Sequence, residues 1–157
     1  MTPGKRFEAD FRNSVPEGVY VKKLADAAIG FDINSSTQRF APPSPFDFLL
    51  CRKGRMYALE LKSTKDTSLS YRGTSANIKE RQVDELLKAE MAGAVAGFVI
   101  NFRTAEKTFF ISASVLKVFM ETSGKNSING MEVKRLGVFI PCEKKIVNYR
   151  YDLSVLW

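Results

Sequence analysis

Histidine is absent from this 157-residue sequence. Its absence excludes the Ser-His-Asp and Cys-His catalytic arrangements, a histidine general base, and any zinc site built with histidine ligands. Catalysis by this chain would therefore have to use carboxylates, lysine, or a hard metal ion bound by oxygen ligands.

Cysteine and long apolar runs are also scarce. Cys51 and Cys142 are too few for a disulfide framework or a cysteine-rich metal cluster, so we expect reduced thiols in a reducing compartment. The longest uncharged apolar run covers residues 91–100, whereas a membrane helix requires about 20 residues. The N-terminus contains no apolar signal-peptide core. These absences predict a cytoplasmic protein without a membrane-spanning helix.

Basic residues outnumber acidic ones, with 24 Lys and Arg against 17 Asp and Glu, which gives a net charge of +7. A pI near 9.5 favours a polyanionic partner, either nucleic acid or an anionic membrane surface. Because no long basic amphipathic helix is visible, nucleic acid is the favoured partner. Short basic clusters are candidates for phosphate contacts, although each alone is also typical of a solvated surface: Lys5-Arg6, Lys22-Lys23, Arg52-Lys53-Gly54-Arg55 and Lys144-Lys145.

Hydrophobic periodicity and turn residues divide the chain into alternating helices and strands. Helices are predicted over residues 4–14, over 78–92 with Asn77 as the cap and Val83, Leu86, Leu87 and Met91 on the apolar face, and from Ser112 or Ser114 through Met120. Strands are predicted over residues 19–21, 46–52, 56–61, 94–102, 108–111, 138–140 and 146–151, and loops over 26–45 and 63–76. This order predicts one α/β domain over residues 1–157, with a central mixed β-sheet flanked by helices.

Asp47, Glu60 and Lys62 form the arrangement most typical of chemistry. Asp47 is predicted inside an apolar strand, where a carboxylate is costly to bury unless it is paired or binds a metal. Side chains alternate along a strand, so Glu60 and Lys62 share one face. A tight turn at Lys53-Gly54 folds Asp47 toward Glu60, and a divalent cation would relieve the repulsion between the two carboxylates. The pattern favours metal-assisted phosphodiester hydrolysis with Mg²⁺, or Mn²⁺ in its place.

The pattern Pro45-Phe46-Asp47 followed by Glu60-Leu61-Lys62 resembles the signature of the PD-(D/E)XK nuclease superfamily, with one residue between Pro and Asp. Gly4-Lys5-Arg6-Phe7-Glu8 is similar to the N-terminal helix motif whose glutamate joins the metal site in many of these enzymes. Within the superfamily, Glu60-Leu61-Lys62-Ser63-Thr64 and the polar loop after it resemble the RecU family of Holliday junction resolvases. Asn77-Ile78-Lys79-Glu80-Arg81-Gln82 and the strand at residues 96–102 are also similar to that family, and the resemblance covers roughly residues 4–110.

The resemblance implies a restriction-endonuclease-like fold and a role for each matching residue. Asp47 and Glu60 would be metal ligands in catalysis, and the Leu61 carbonyl would add a third oxygen. Glu8 would complete the metal site directly or through water. Lys62 would be the catalytic lysine, and Gln82 would lie near the site and hold water or the DNA backbone. Six residues are candidate DNA contacts, with Tyr71 as a residue that could stack on a base: Lys5, Arg6, Lys65, Tyr71, Arg72 and Arg81.

Two features differ from the RecU pattern. Many relatives carry a histidine just before the glutamine, where this chain has Arg81. The region between the first helix and Asp47 is compact, so we expect the protruding stalk of RecU proteins, which helps to engage the junction centre, to be absent or much reduced. A phage-encoded or trimmed relative fits this pattern, in the cytoplasm of a bacterium or of a phage-infected host.

The resemblance implies a metal-dependent, structure-selective DNA endonuclease that resolves Holliday junctions. Its partners would be branched or duplex DNA and a second copy of the chain, because symmetric resolution needs the two equivalent sites of a homodimer. One alternative is a PD-(D/E)XK nuclease of another substrate class, such as restriction, repair or replication. The other is a non-catalytic DNA-binding module that has the same fold.

Structural alternatives also stay open for the candidate site. Asp47 could cap a turn after Pro45, without any role in chemistry. Glu60 and Lys62 could form a surface ion pair, which contributes little to stability. Likewise, the polar residues at positions 8 and 82 could be ordinary solvated side chains of helices.

Overall fold

A computed structural model describes residues 1–25, 29–30, 39–40 and 43–157 of the chain. The helices are α1 (Pro3–Ser14), α2 (Glu80–Met91), α3 (Ala113–Thr122) and α4 (Gly130–Leu136), with a 3₁₀ helix at Leu153–Leu156. The strands are β1 (Tyr20–Lys23), β2 (Ile29–Gly30), β3 (Arg39–Phe40), β4 (Phe48–Arg52), β5 (Arg55–Thr64), β6 (Ser68–Ser70), β7 (Val95–Phe102), β8 (Lys107–Ser112), β9 (Ser127–Asn129), β10 (Val138–Ile140), β11 (Cys142–Lys144) and β12 (Tyr149–Tyr151). Within these described ranges, no helix has the length and apolar character needed to cross a membrane.

Six strands form a central sheet in the order β1-β4-β5-β7-β8-β10. β5 and β7 run parallel, whereas the other neighbouring strands of this sheet run antiparallel, so the predicted mixed sheet is confirmed. A parallel pair requires a crossover connection, which the chain makes through β6 and α2. Three smaller ladders pair β2 with β3, β6 with β9, and β11 with β12.

Alternating side chains of the sheet build two hydrophobic cores, one on each face. On one face, Phe7 and Phe11 of α1 are buried together with Leu59 of β5. On the other face, Val83 of α2 is buried together with Ala58 of β5. Burial of each large apolar side chain contributes about 1.5–3 kcal/mol to folding. α1 and α2 therefore cover opposite sides of β5 and set the surroundings of every residue on that strand.

The predicted two-residue turn at Lys53-Gly54 joins β4 to β5. Both residues have positive φ angles, 48° and 77°, which a tight hairpin turn of this length favours and which glycine adopts without steric cost. The turn fixes the register of the hairpin and places Phe48 opposite Leu59. Positions 47 and 60 are consequently brought to the same end of the hairpin.

Gly97 of β7 has no space for a side chain. A Cβ atom there would lie 2.2 Å from the backbone oxygen of Ile111 and 2.8 Å from the Cα of Ser112, so β8 itself would have to move. We expect Gly97→Ala to lower the free energy of unfolding by about 1–3 kcal/mol, measured by urea denaturation. The control is Gly4→Ala, where nothing lies within 4 Å and no loss is expected. Equal stability of the two variants would contradict this view of the β7–β8 contact.

Three predicted element boundaries and one predicted core residue were wrong. The strand predicted over residues 146–151 begins only at Tyr149, because residues 145–148 form a turn. β4 begins at Phe48, so Asp47 lies in the bend before the strand rather than inside it. The Asn77 side chain does not cap α2, because its oxygen accepts a hydrogen bond from the Ser70 N–H at 3.0 Å. Met91, predicted on the apolar face, is 88 % exposed, since α2 ends at this residue.

The regions predicted as loops contain strands. Residues 68–70 form β6, whose partner β9 lies at residues 127–129, too far along the chain for a local pattern to show. Within residues 26–45, β2 and β3 form a short antiparallel ladder. Positions 26–28, 31–38 and 41–42 lie outside the described residues, and so does this part of the region between α1 and Asp47 where the reduced stalk is predicted. α4 was also missed, although Asn129 and Glu132 form a capping box at its start.

Candidate active site

Asp47 is held against β5 by backbone and side-chain hydrogen bonds. Its N–H donates to the Leu59 carbonyl at 3.1 Å, and its own carbonyl accepts from the Leu24 N–H at 2.8 Å. One carboxylate oxygen, Oδ2, accepts from the Leu61 N–H at 2.7 Å. The half-buried Asp47 carboxylate is therefore fixed at the end of the β4–β5 hairpin.

Glu60 lies on β5 and is only 5 % exposed. Its Oε1 accepts a hydrogen bond from the Gln82 side-chain amide, and the Lys62 Nζ lies 3.0 Å from the same oxygen. The Lys62 side chain is itself 18 % exposed. The ion pair between Glu60 and Lys62 is therefore largely removed from water, which excludes the interpretation as a surface ion pair.

The surroundings of Glu60 favour its protonated form. The pKa of the carboxyl is raised from 4.5 to about 7, and burial is the largest cause. The positive charge of Lys62 opposes this rise, the negative charge of Asp47 adds to it, and Arg81 lowers the pKa slightly. A buried carboxylate beside a second carboxylate is a group that a bound cation would stabilise.

Gln82 connects the first turn of α2 to the Glu60 carboxylate. The Gln82 Oε1 accepts a hydrogen bond from the Lys79 N–H at 3.1 Å, while the Nε2 donates to Glu60. The side chain thus satisfies one of the unpaired N–H groups at the helix start and orients the carboxylate at the same time. The structure therefore places Gln82 in contact with Glu60.

Glu8, the predicted third carboxylate, is not grouped with Asp47 and Glu60. It lies on α1, and its carboxylate is paired with the Lys23 ammonium. Lys23 belongs to β1 and is the register partner of Phe48, the residue after Asp47, so the ion pair joins α1 to the strand beside Asp47. Among the residues that the structure describes, no three Asp, Glu or Cys side chains converge as a metal-binding group. Lys23 was singled out from the sequence only as half of a basic pair.

The remaining candidate DNA contacts lie on several elements. Lys5 and Arg6 are exposed on the first half of α1, and Lys65 is exposed directly after β5. Arg81 is exposed on α2, and its guanidinium donates to the Ser44 carbonyl at 3.2 Å. Lys65 lies three residues after Lys62, Arg81 lies directly before Gln82, and Arg81 acts electrostatically on Glu60.

Tyr71 lacks the exposure that stacking on a base requires, and this prediction is contradicted. Its ring is 5 % exposed and packs edge-on against Phe119, with the ring centroids 6.2 Å apart. Its hydroxyl lies 3.0 Å from the Ser123 Oγ. Exposed Arg72 covers the ring, with its guanidinium carbon 5.9 Å from the centroid, and donates to the Met120 carbonyl at 3.1 Å. The pairing of β6 with β9 draws this segment into the core.

The oxygen donors at this site suit a hard divalent cation. Asp47 and Glu60 supply carboxylates. The N–H and C=O of a strand residue face the same edge, so the Leu61 carbonyl lies on the Asp47 side of β5. Two carboxylates and one carbonyl leave the other positions of an octahedral ion to water, as Mg²⁺ prefers. The residues present therefore fit a magnesium ion, with Lys62 beside it.

A mixed sheet that brings an aspartate to a Glu-x-Lys sequence on the adjacent strand is the arrangement of PD-(D/E)XK nucleases, and this chain has a fold of that class. The sequence matches the family described as RecU, Recombination protein U, over residues 26–153. The chain belongs to this family. The match extends well beyond residue 110, where the resemblance seen in the sequence became weak.

Two similar proteins extend this comparison. The structure of Archaeoglobus fulgidus Hjc, described as a Holliday junction resolvase from an archaeal hyperthermophile, matches with a TM-score of 0.56 and 22 % identity, over 87 % of this chain and 95 % of that one. This match confirms the predicted restriction-endonuclease-like fold. The SPbeta prophage-derived uncharacterized protein YotM of Bacillus subtilis (strain 168) is 26 % identical over 168 residues, which cover 98 % of this chain and 84 % of the relative. It supports the predicted link to phages.

Proposed function

We propose that this chain is a metal-dependent DNA endonuclease that resolves Holliday junctions by phosphodiester hydrolysis. The observation that carries the proposal is the buried Glu60 carboxyl, held beside Asp47 and Lys62 with a pKa of about 7. Membership of the RecU family and a fold shared with a Holliday junction resolvase support the choice of substrate.

Each residue of the site has a separate role in this proposal. A divalent cation held by Asp47, Glu60 and the Leu61 carbonyl would supply Lewis-acid stabilisation of the phosphate and an acidified water. Lys62 neutralises the charge that develops on the phosphate. Gln82 fixes the direction of the Glu60 carboxylate through its amide hydrogen bond. None of these roles requires histidine, in agreement with the composition.

Glu8 has a more distant role in this proposal. Its carboxylate is engaged by Lys23 on the strand next to Asp47. It would reach the cation through a bridging water, or directly once Lys23 has moved to a phosphate of the DNA. In both cases Glu8 adds negative charge near the cation, in addition to the carboxylates of Asp47 and Glu60.

The proposed partner is branched DNA, bound by a homodimer in the cytoplasm. The net charge of +7 favours a phosphate backbone as the partner. Exposed basic side chains supply the proposed backbone contacts: Lys5, Arg6, Lys65, Arg72 and Arg81. Symmetric cleavage of a four-way junction needs two equivalent sites, which a two-fold dimer provides.

A panel of DNA substrates tests the proposed function. End-labelled four-way junction, linear duplex, flap and single strand of matched sequence are incubated with the full chain and Mg²⁺. We expect paired, symmetric cuts in the junction, at a rate at least about tenfold above that of the other substrates. Faster cleavage of duplex or flap would assign the chain to another nuclease class. If nothing is cleaved with either Mg²⁺ or Mn²⁺, the chain is a DNA-binding module without activity.

A further inference from the structure

The β11–β12 hairpin presents two aliphatic side chains to solvent. The Lys145 N–H closes its turn by donating to the Asn148 carbonyl at 2.8 Å. Ile146 and Val147 form the tip between them and are 100 % and 79 % exposed. Tight turns favour Gly, Asn, Asp and Ser. Two adjacent β-branched residues at this turn are therefore explained neither by the conformation of the turn nor by burial.

The hairpin is anchored to the rest of the protein along β12. The Tyr149 N–H donates to the Asp10 carboxylate at 3.2 Å, and the Tyr151 N–H donates to the Ser14 Oγ at 2.9 Å, so β12 is fixed along α1. The Tyr149 hydroxyl also donates to the Glu106 carboxylate at 2.8 Å. The aliphatic tip therefore projects from a fixed support.

Basic side chains flank the aliphatic tip. The hairpin carries Lys144, Lys145 and Arg150, against Glu143 as its one acidic residue. The side chains of Lys144 and Lys145 are 66 % and 48 % exposed, and each forms a surface ion pair, Lys144 with Glu106 at 3.3 Å and Lys145 with Glu143 at 2.6 Å. Exposed ion pairs of this kind are weak, so both ammonium groups can exchange a carboxylate for a phosphate. A surface with aliphatic side chains next to cations is complementary to DNA whose bases are unstacked. Such DNA exposes the apolar faces of its bases beside its phosphates.

The hairpin tip lies at the same end of the sheet as the candidate active site. β5 ends at Thr64, two residues after Lys62. The Thr64 carbonyl accepts a hydrogen bond at 2.9 Å from the N–H of Arg103, which lies in the turn between β7 and β8. Glu106 of that turn lies 3.3 Å from the Lys144 ammonium. Lys144 and Tyr149 are the last paired residues before the tip. The tip therefore extends beyond the end of the sheet at which β5 ends and the β7–β8 turn lies.

We propose that Ile146 and Val147 form a wedge that contacts unstacked bases at the branch point of the DNA, while Lys144, Lys145 and Arg150 hold the adjacent phosphates. The inference rests on the proposed function, since a branch point is where a duplex exposes the faces of its bases. The wedge adds selectivity for branched over linear DNA, because a continuous duplex offers phosphates but no open base faces.

The test compares the double variant Ile146→Ser/Val147→Ser with the wild-type full chain. Both are titrated, without divalent metal, against a four-way junction with 2-aminopurine at its centre and against a linear duplex of equal length. We expect the double variant to bind the junction about tenfold more weakly, to lose the rise in 2-aminopurine fluorescence, and to bind the duplex unchanged. Thermal unfolding should not change, because both side chains lie in solvent.

Met91→Ser is the matched control for loss of an exposed apolar side chain. Met91 is 88 % exposed and lies at the opposite end of α2 from Gln82. This variant should bind both DNAs as the wild type does. Wild-type junction affinity and fluorescence in the double variant would overturn the wedge. An equal loss of affinity for junction and duplex would overturn it as well.

Two further outcomes distinguish the wedge from a membrane contact and from the proposed function itself. Exposed aliphatic and basic side chains together are also found on proteins that bind membrane surfaces. Loss of binding to vesicles with anionic lipids, with junction binding intact, would overturn the wedge in favour of a membrane contact. A wild type that binds junctions through the tip but cleaves no DNA would support the wedge and contradict only the proposed function.

Discussion

Replacement of either carboxylate of the candidate site is expected to abolish cleavage while DNA binding persists. Asp47→Asn and Glu60→Gln each keep the side-chain shape but remove a charged oxygen ligand. The loss of several kcal/mol of transition-state stabilisation corresponds to a fall in the single-turnover rate of about 10³-fold or more. Affinity for the junction should change less than about threefold, because the proposed phosphate contacts lie on other residues.

Glu121→Gln is the matched control for these two variants. Its carboxylate is 60 % exposed on α3 and lies 3.6 Å from the Lys117 ammonium. The variant removes the same charge and should keep its cleavage rate within about twofold of wild type. Full activity of Asp47→Asn or of Glu60→Gln would contradict the assignment of the site, as would an equally large loss in the control.

The Glu60→Gln variant is also expected to stabilise the metal-free protein at alkaline pH. The pKa of Glu60 is about 7 in the folded protein, against an ordinary value of 4.5. The folded state therefore binds more protons than the unfolded state between these two values. The contribution of Glu60 to stability is fully present below pH 4.5, the ordinary pKa, and is lost as the pH rises through about 7, the pKa in the folded protein. Glutamine mimics the neutral carboxyl and avoids this loss.

Denaturation at two pH values measures the effect. We expect the gain in free energy of unfolding from Glu60→Gln to be about 1–3 kcal/mol larger at pH 8.5 than at pH 5, in buffer with a chelator. Glu121→Gln is measured alongside as the control for the loss of one carboxylate from the chain. A gain that is independent of pH, or one that is larger at pH 5, would show that burial does not favour the neutral form of Glu60.

The proximity of Asp47 and Glu60 could be predicted because a single local turn separates them. Lys53-Gly54 is a strong signal for a two-residue hairpin, and such a turn leaves little freedom in the register of the strands. The alternation of side chains along β5 then places Glu60 and Lys62 together, as their 3.0 Å contact shows. The residues of the turn and the alternation of side chains along a strand were therefore enough to predict that Asp47, Glu60 and Lys62 lie close together.

The surroundings of Glu8 and Tyr71 could not be predicted, because they depend on contacts between distant segments. Glu8 pairs with Lys23 only after β1 has been placed beside β4. Tyr71 follows a polar segment typical of a loop, yet its ring packs against Phe119 of α3. The pairing of β6 with β9, which causes this burial, leaves no periodic signal, since each strand has only three residues.

Titration of the metal-free protein with Mn²⁺, followed by calorimetry, tests most directly the claim that Asp47 and Glu60 together hold a divalent cation. Our account predicts saturable binding to the wild-type chain and to Glu121→Gln. Asp47→Asn and Glu60→Gln should each weaken this binding at least about tenfold, since each removes one of two charged ligands. Binding of equal strength in the wild type and in both site variants would contradict the account.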